Sequence, residues 1–318
     1  MMNWLRTGIS AHRNLKPEVF RKVDYVEVKK ITREEVCHYR SMLECPLYFH
    51  LQYTADNRYY LPSAMSLEPF MNDITQAYLA GQPEIISMHF GPASSSITLD
   101  TENYIAVAEA PLIARNEILQ RLEENLTILR HRFPGIRLLV ENLEFIPESM
   151  SGGSYRYIQE ADFFSSAVRK WAEEGILDGI IFDVAHGLIA AANHPYYNGL
   201  EGDPQDTGPD YIRHLKEQEK DILECYENYL SQMPLDLVEE VHLSGIVRLD
   251  SGVWVDAHRE IGRRELEALE LLQQKIPQRN LSITLEYYHN SEQAIEQLQT
   301  LQTLLKSAPE EETGKASC

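Results

Sequence analysis

The chain has 318 residues, 43% hydrophobic and 9% aromatic, which is a soluble globular composition, and its 29 basic and 49 acidic residues leave a formal charge of −20. Such an acidic chain repels nucleic acid and anionic membrane, and no basic arm is present to override that field. No apolar run approaches the roughly 20 residues that cross a bilayer, and the opening MMNWLRTGISAHRN lacks the apolar stretch of a signal peptide, so the expected home is the cytoplasm. The four cysteines, Cys37, Cys45, Cys225 and Cys318, show no CxxC spacing and read as reduced thiols.

In chain order, short β-rich runs alternate with helical stretches. A weak first strand at Thr7 to Ser10 is followed by a strand at Asp24 to Val28, a helix over Thr32 to Leu43, and strands at Pro46 to Leu51 and Glu84 to Phe90. A helix over Arg115 to Arg132 leads to the strand Ile136 to Leu143, and one over Ala161 to Glu174 leads to the strand Gly179 to Val184. A segment dense in turn formers and acid, Asn198 to Asp210, reads as a solvated loop insertion after the sixth strand. Beyond it come a helix over Tyr211 to Leu230, the strand Val238 to Leu243, a helix over Arg264 to Gln274 and a last strand at Ser282 to Tyr287. The tail from Ser307 to Cys318 is almost free of large apolar side chains and reads as disordered.

Strand and helix alternating along the whole chain predict a parallel sheet with crossover helices. Eight such units favour a single (β/α)8 TIM barrel over residues 1–306, and no GxGxxG follows the first strand to suggest a dinucleotide-binding fold instead. In such a barrel the active site lies at the C-terminal ends of the strands. Six strands end there in chemistry: His50, His89, Glu141, Asp183 with His186 three residues on, His242 and Glu286, and the pair Asp256 and His258 lies between the last two strands. Converging carboxylates repel one another and pay for desolvation, a difficulty that metal ions remove. Imidazole and carboxylate are ligands of zinc, iron and manganese, and no cysteine falls at these strand ends. These nine candidates exceed the roughly four to six protein ligands of one ion, which implies two or three metals.

The residues also resemble the multinuclear non-haem iron-dependent oxidase family, whose members include the iron oxidase of methanobactin synthesis. The resemblance is carried by GIIFDVAHGLIAAANH (Gly179 to His194), by LLVENL with the later QEADFF, and by YLSQMPLDLVEEVHLSG (Tyr229 to Gly245), and it covers most of the chain from Thr7 to Glu286. The same ligand order is similar to that of the trinuclear zinc endonuclease IV family on the same xylose isomerase-like barrel, with VDAHREIG especially close. The flanking sequence and the charge of −20 favour the oxidase.

The resemblance implies Glu141 as a bridging carboxylate, His50 and His89 on one ion, Asp183, His242 and Glu286 on a second, and His186, Asp256 and His258 on a third. Many of these oxidases carry Asn where this chain has His186, which leaves the third position distinctive. His194 is implied as an extra ligand or as a donor that orients a carboxylate. The implied activity is oxidation, with dioxygen, at the carbon next to sulfur of a cysteine in a ribosomally made precursor peptide. The expected cofactor is two or three irons, with zinc as the alternative, and the expected partners are that peptide and a separate peptide-recognition protein. Two other readings stand beside it: a zinc-dependent phosphodiesterase of the endonuclease IV type, and a metal-retaining barrel that only binds.

Several residues have weaker claims. Glu27 either reaches the same mouth or pairs with Lys29 and Lys30, and Asn142 and Ser244 neighbour ligands as hydrogen-bonding supports. Tyr287, Tyr288 and His289 either line a substrate channel or pack at the strand end, and Arg248 either meets a substrate carboxylate or lies on the surface. The Ser94 to Ser96 run has no nucleophile-elbow context, and His12, His38, His131 and His214 read as ordinary surface residues.

Overall fold

The structure is a computed structural model that describes residues 4–201, 203, 207–218, 220–277 and 281–307. Eight parallel strands close into a barrel: β1 (Trp4–Ser10), β2 (Tyr25–Lys30), β3 (Leu47–Tyr53), β4 (Ile85–His89), β7 (Arg137–Glu141), β8 (Gly179–Asp183), β9 (Val238–Leu243) and β12 (Leu281–Leu285). Two antiparallel hairpins stand on its C-terminal rim, β5 (Ile97–Asp100) with β6 (Ile105–Ala108), and β10 (Gly245–Arg248) with β11 (Trp254–Arg259). The helices are α1 (Pro17–Phe20), α2 (Arg33–Arg40), α3 (Met71–Gly81), α4 (Arg115–Arg132), α5 (Glu148–Ser151), α6 (Ala161–Glu173), α7 (Val184–Asn193), α8 (Pro195–Asn198), α9 (Pro209–Glu217), α10 (Ile222–Leu230), α11 (Arg263–Lys275) and α12 (Ser291–Ser307). The (β/α)8 barrel expected from the alternation is therefore the fold. No helix among the described residues is long and apolar enough to cross a membrane.

Strand alternation divides the barrel interior into two layers. Side chains of successive residues point to opposite faces, so Tyr25, Tyr48, Ile85, Leu139 and Ile181 meet inside as a small apolar cluster of their own. Two residues further along the same strands, Glu27, His50, Ser87, Glu141 and Asp183 form a polar layer nearer the C-terminal mouth. Tyr25 and Tyr48 stack at 4.0 Å across the lower layer, and Gly8 makes room, since a Cβ there would lie 2.3 Å from the Tyr25 ring. The large core, between barrel and helices, is built from the opposite faces of the strands.

The helix expected over Tyr211 to Leu230 is two helices, α9 and α10. The six residues between Leu215 and Ile222 are all polar and offer no anchor to the core, and the Asp221 side chain accepts the Leu223 N–H at 3.0 Å to start α10. The last strand ends at Leu285, so Glu286 is the first residue beyond it. The rim hairpins were not expected, because four-residue runs beside polar turns carry too short a pattern to read. Within the acidic 198–210 segment, Thr207 is buried and its hydroxyl accepts the Glu148 N–H at 2.6 Å, which ties that end of the loop to α5. Residues 202 and 204–206 of that segment, and the tail from 308 onward, lie outside the described residues.

Candidate metal centre

The parallel register sets the cluster. It places His89 beside Glu141 on β4 and β7, and Asp183 beside His242 on β8 and β9. His50 comes up from β3 next to Ser87. Asp183 ends β8 and caps α7, its Oδ1 accepting the His186 N–H at 2.7 Å, so one turn of helix carries the His186 imidazole back over the mouth. The hairpin β10–β11 swings Asp256 and His258 in from the rim.

Three groupings result. His50 Nε2 and His89 Nε2 are 3.1 Å apart and lie 3.3 and 3.4 Å from Glu141 Oε2. His242 Nδ1 lies 3.1 Å from Glu141 Oε1 and 3.2 Å from Glu286 Oε1, and Glu141, Asp183 and His242 present donor atoms within 4.8 Å of one another. Asp256 Oδ2 holds the outer grouping together, 3.0 Å from His258 Nδ1 and 3.5 Å from His186 Nε2. Donors bound to one ion at about 2.0–2.2 Å stand roughly 2.9–3.6 Å from each other, which is the spacing of His50 and His89 with Glu141, of His242 with Glu141 and Glu286, and of Asp256 with His258 and His186.

The hydrogen bonds around the cluster say which atoms face inward. The His186 Nδ1 lies 2.8 Å from the Asn142 carbonyl, which can only accept, so this nitrogen carries a proton and Nε2 is the atom aimed at Glu144 and Asp256. Ser87 Oγ donates to the Phe49 carbonyl and receives His50 Nδ1 at 2.9 Å, which leaves the His50 Nε2 lone pair facing His89 Nε2 at 3.1 Å. The two nitrogens and Glu141 Oε2 have the mutual spacing of donors around one cation. Buried atoms without a hydrogen-bonding partner among the described residues gather here too: Glu27 Oε2, Glu141 Oε2, Asp183 Oδ2, Glu240 Oε2, His242 Nε2 and His258 Nδ1. Each such atom costs about 1–3 kcal/mol if left unsatisfied, a concentration that a protein does not keep without a ligand.

Charge leads to the same place. Seven largely buried carboxylates, Glu27, Glu141, Glu144, Asp183, Glu240, Asp256 and Glu286, face one ammonium, Lys29, whose Nζ is 2.5 Å from Glu286 Oε1. The excess of six negative charges is what three divalent ions would balance. Without them protons do the work. Burial pushes Glu141 up to about 7 and raises Asp183. Against burial, Glu27 and Glu141 hold His242 well above the ordinary imidazole value, and Asp183 and Glu144 do the same for His186. Burial and the neighbouring imidazoles keep His50 and His89 well below it. The residues present therefore fit a group of metal ions.

A cavity of about 360 Å³ opens onto this cluster, with His89, His186, Asp256, His258 and Glu286 on its floor. Its walls are Tyr59, Tyr155, Leu143 and the hairpin residues Ile97, Leu99 and Tyr104, and Arg259 on β11 donates to the Tyr104 hydroxyl at 3.1 Å across the top.

All nine expected ligands come together at the barrel mouth. Glu27 joins them, with Oε2 3.0 Å from His242 Nε2, while Lys29 turns to Glu286 and Lys30 donates to Asn57 at 2.7 Å. Asn142 brackets Asp183, accepting its N–H at 2.8 Å and donating to its carbonyl at 3.2 Å, and Ser244 donates to Asp256 Oδ1 at 2.7 Å. His194 stays apart: it lies at the far end of α7, packs on Phe145 and accepts the Tyr196 N–H at 3.2 Å. Arg248 donates to the carbonyls of Leu215 and Gly252, closing off the end of α9. Tyr288 lines the cavity and Tyr287 is buried against Gln293, whereas His12, expected at the surface, stacks on Tyr288 at 4.7 Å.

Sequence reasoning passed over Glu240 and Glu144, and read Lys29 only as a partner for Glu27. Glu240 and Lys29 stand two positions from His242 and Glu27 on the same strands, so strand alternation alone puts them on the inner face. Glu144 lies beyond β7, where no period applies; its Oε2 is 3.3 Å from His186 Nε2 and its Oε1 accepts the Tyr155 hydroxyl at 2.6 Å.

No known protein family and no curated protein matches the chain. Solved structures do match in shape. The IOLI protein with bound zinc aligns with a TM-score of 0.51 and 13% identity over 95% of this chain and 98% of its own. D-Psicose 3-epimerase in the presence of D-fructose gives 0.51 and 11% over 94% and 98%. A xylose isomerase-like TIM barrel protein from Mycobacterium smegmatis in complex with magnesium gives 0.51 and 12% over 92% and 87%. At these identities the likeness is one of fold alone, the TIM barrel.

Proposed function

We propose that this chain is a metal-dependent enzyme whose barrel mouth holds two or three ions, and that it is a multinuclear non-haem iron-dependent oxidase acting with dioxygen on a cysteine of a peptide. One observation carries the metal reading: Glu141 reaches His50 and His89 with one oxygen, at 3.3 and 3.4 Å, and His242 with the other, at 3.1 Å, the posture of a carboxylate shared between two ions. Two of the similar barrels were solved with zinc or magnesium. The oxidase reading is supported by the sequence segments Gly179 to His194 and Tyr229 to Gly245.

His50, His89, Glu141, Asp183, His242 and Glu286 would hold an inner pair of ions, and His186, Asp256 and His258 an outer one. Bound iron would supply an open position for a thiolate and electron exchange with dioxygen. The chain's part is to fix the donors and shape the approach. Ser87, Asn142 and Ser244 set the orientation of His50, Asp183 and Asp256, and Leu143, Tyr59 and the β5–β6 hairpin wall the approach to the cluster. None of the chain's described cysteines lines that cavity: Cys37 is exposed, Cys45 lies at the barrel's other end beside Arg40, and Cys225 is buried against α7. On this reading the thiol at the metals would be the substrate's.

Protein purified anaerobically should contain two or three irons per chain by elemental analysis, lost in His242→Ala, and should consume oxygen with cysteine-containing peptides. Zinc in the same stoichiometry, with cleavage of abasic DNA, would replace this reading by the phosphodiesterase. That second reading is favoured by one feature, the complete outer grouping with His186 3.5 Å from Asp256. Bound metal with neither activity would leave a binding barrel.

A further inference from the structure

Beside the metal cavity lies a second one, of about 570 Å³, that shares Lys29, Gln52, Tyr53, His258 and Tyr288 with it. It is large enough for a few residues of peptide or a small organic molecule. Three cations line it, Arg13, Lys29 and Lys30, against one carboxylate, Glu35, in a chain whose overall charge is −20. Two of the three cations are already balanced. Arg13 Nη2 lies 2.6 Å from Glu35 Oε2, and Lys29 is bound to Glu286. Lys30 is different: its Nζ donates at 2.7 Å to the Asn57 side-chain carbonyl, a neutral group. The second cavity thus presents one ammonium without a counter-charge among the described residues. Its inner wall runs from His12 to Tyr288, stacked at 4.7 Å, and from Tyr288 to His258, edge-on at 5.4 Å, so it leads to the outer metal grouping.

We infer that this cavity is a substrate subsite that takes a carboxylate through Lys30, while the reacting end of the same molecule lies in the metal cavity. A single uncompensated ammonium matches a single negative charge, which selects a carboxylate over a doubly charged phosphate. The identity of the reacting end as a thiol rests on the oxidase reading; the subsite does not.

Isothermal calorimetry on the metal-loaded protein tests the subsite with N-acetylcysteine and N-acetylcysteinamide, which differ only in the carboxylate. The acid should bind at least tenfold more tightly, and Lys30→Met should abolish the difference while Lys30→Arg keeps it. Asn57→Asp, which supplies Lys30 with a counter-charge and leaves the lysine in place, should also abolish it. Equal binding of acid and amide, binding of neither, or discrimination that survives both Lys30→Met and Asn57→Asp would overturn the subsite. N-acetyl-aspartyl-cysteinamide tells the sources of the carboxylate apart: binding as tight as the acid means a side-chain carboxylate serves, and binding as weak as the amide means a terminal one. A thiolate-to-metal absorption band on the cobalt-substituted protein reports separately on sulfur. Discrimination by Lys30 without that band would sink the thiol reading and leave the subsite standing.

Discussion

The inner and outer parts of the metal centre are built differently. His50, His89 and Glu141 sit on three adjacent barrel strands, at most 5% exposed, with every backbone group locked in the ladder. Asp256 and His258 ride on a two-stranded hairpin outside the barrel, the His258 side chain is 19% exposed, and its backbone has a φ of 46°, a left-handed conformation uncommon outside glycine. Donors on rigid strands are preorganised for permanent occupancy, whereas donors on an open hairpin can yield a position to an incoming molecule. On the proposed reading the inner part would be the holder and the outer part the point of exchange with substrate.

The largest test of that division is Glu141→Ala. Removing the shared carboxylate should empty both inner positions, with a loss of two ions per chain by elemental analysis and a fall in any metal-dependent activity of more than about 100-fold. Retention of full metal content would end the idea of a bridge. Asp256→Ala should do less, releasing one ion and leaving two. Equal losses in the two variants would mean that the centre forms as a single cooperative unit, without the division into holder and exchange point.

Glu27→Gln asks a finer question. Glu27 Oε1 accepts the Ser10 hydroxyl at 2.6 Å, and Oε2 stands 3.0 Å from His242 on the side away from Glu141. A carboxylate behind a ligating imidazole strengthens it, and the loss of such support costs about 10–100-fold in metal affinity. Competition with a chelator should show that weakening for the inner ions and none for the outer one. An unchanged affinity throughout would reduce Glu27 to packing.

These residues also show what a sequence can reveal. The barrel was legible because each strand is a short β-rich run and each crossover a 3.6-residue pattern; six of the nine donors were legible because the fold rule points at strand ends, and His186, Asp256 and His258 through the short motifs DVAH and VDAH that carry them. Glu240 went unread and Lys29 was read only as a partner for Glu27, although alternation places both inward, since attention rested on the last residue of each strand. Glu144, Tyr59 and the Lys30 cavity were beyond reach, because they come from loops and rim hairpins whose course is set by tertiary contacts such as Arg259 on Tyr104. His194 misled for a physical reason: it ends the same motif as Asp183 and His186, but the ten-residue helix between them runs about 15 Å along its axis, away from the metals.

His194 gives the smallest effect and a check on that separation. It is buried with no charged partner, and burial alone lowers it to about 3. In the unfolded chain it takes a proton below about 6.5, whereas in the folded chain it stays neutral down to about 3. Between those values the unfolded state binds the extra proton, so stability falls as the pH falls, by at most about 1.4 kcal/mol per pH unit from this one group. His194→Asn keeps an acceptor for the Tyr196 N–H and removes the titration. The variant should lose about 1–2 kcal/mol at neutral pH, yet its melting temperature should decline less steeply than that of the wild type from pH 6.5 to 4, with metal content unchanged at neutral pH. A loss of metal in this variant would bring His194 back to the centre, and a parallel decline would show that its neutrality carries no share of the acid sensitivity.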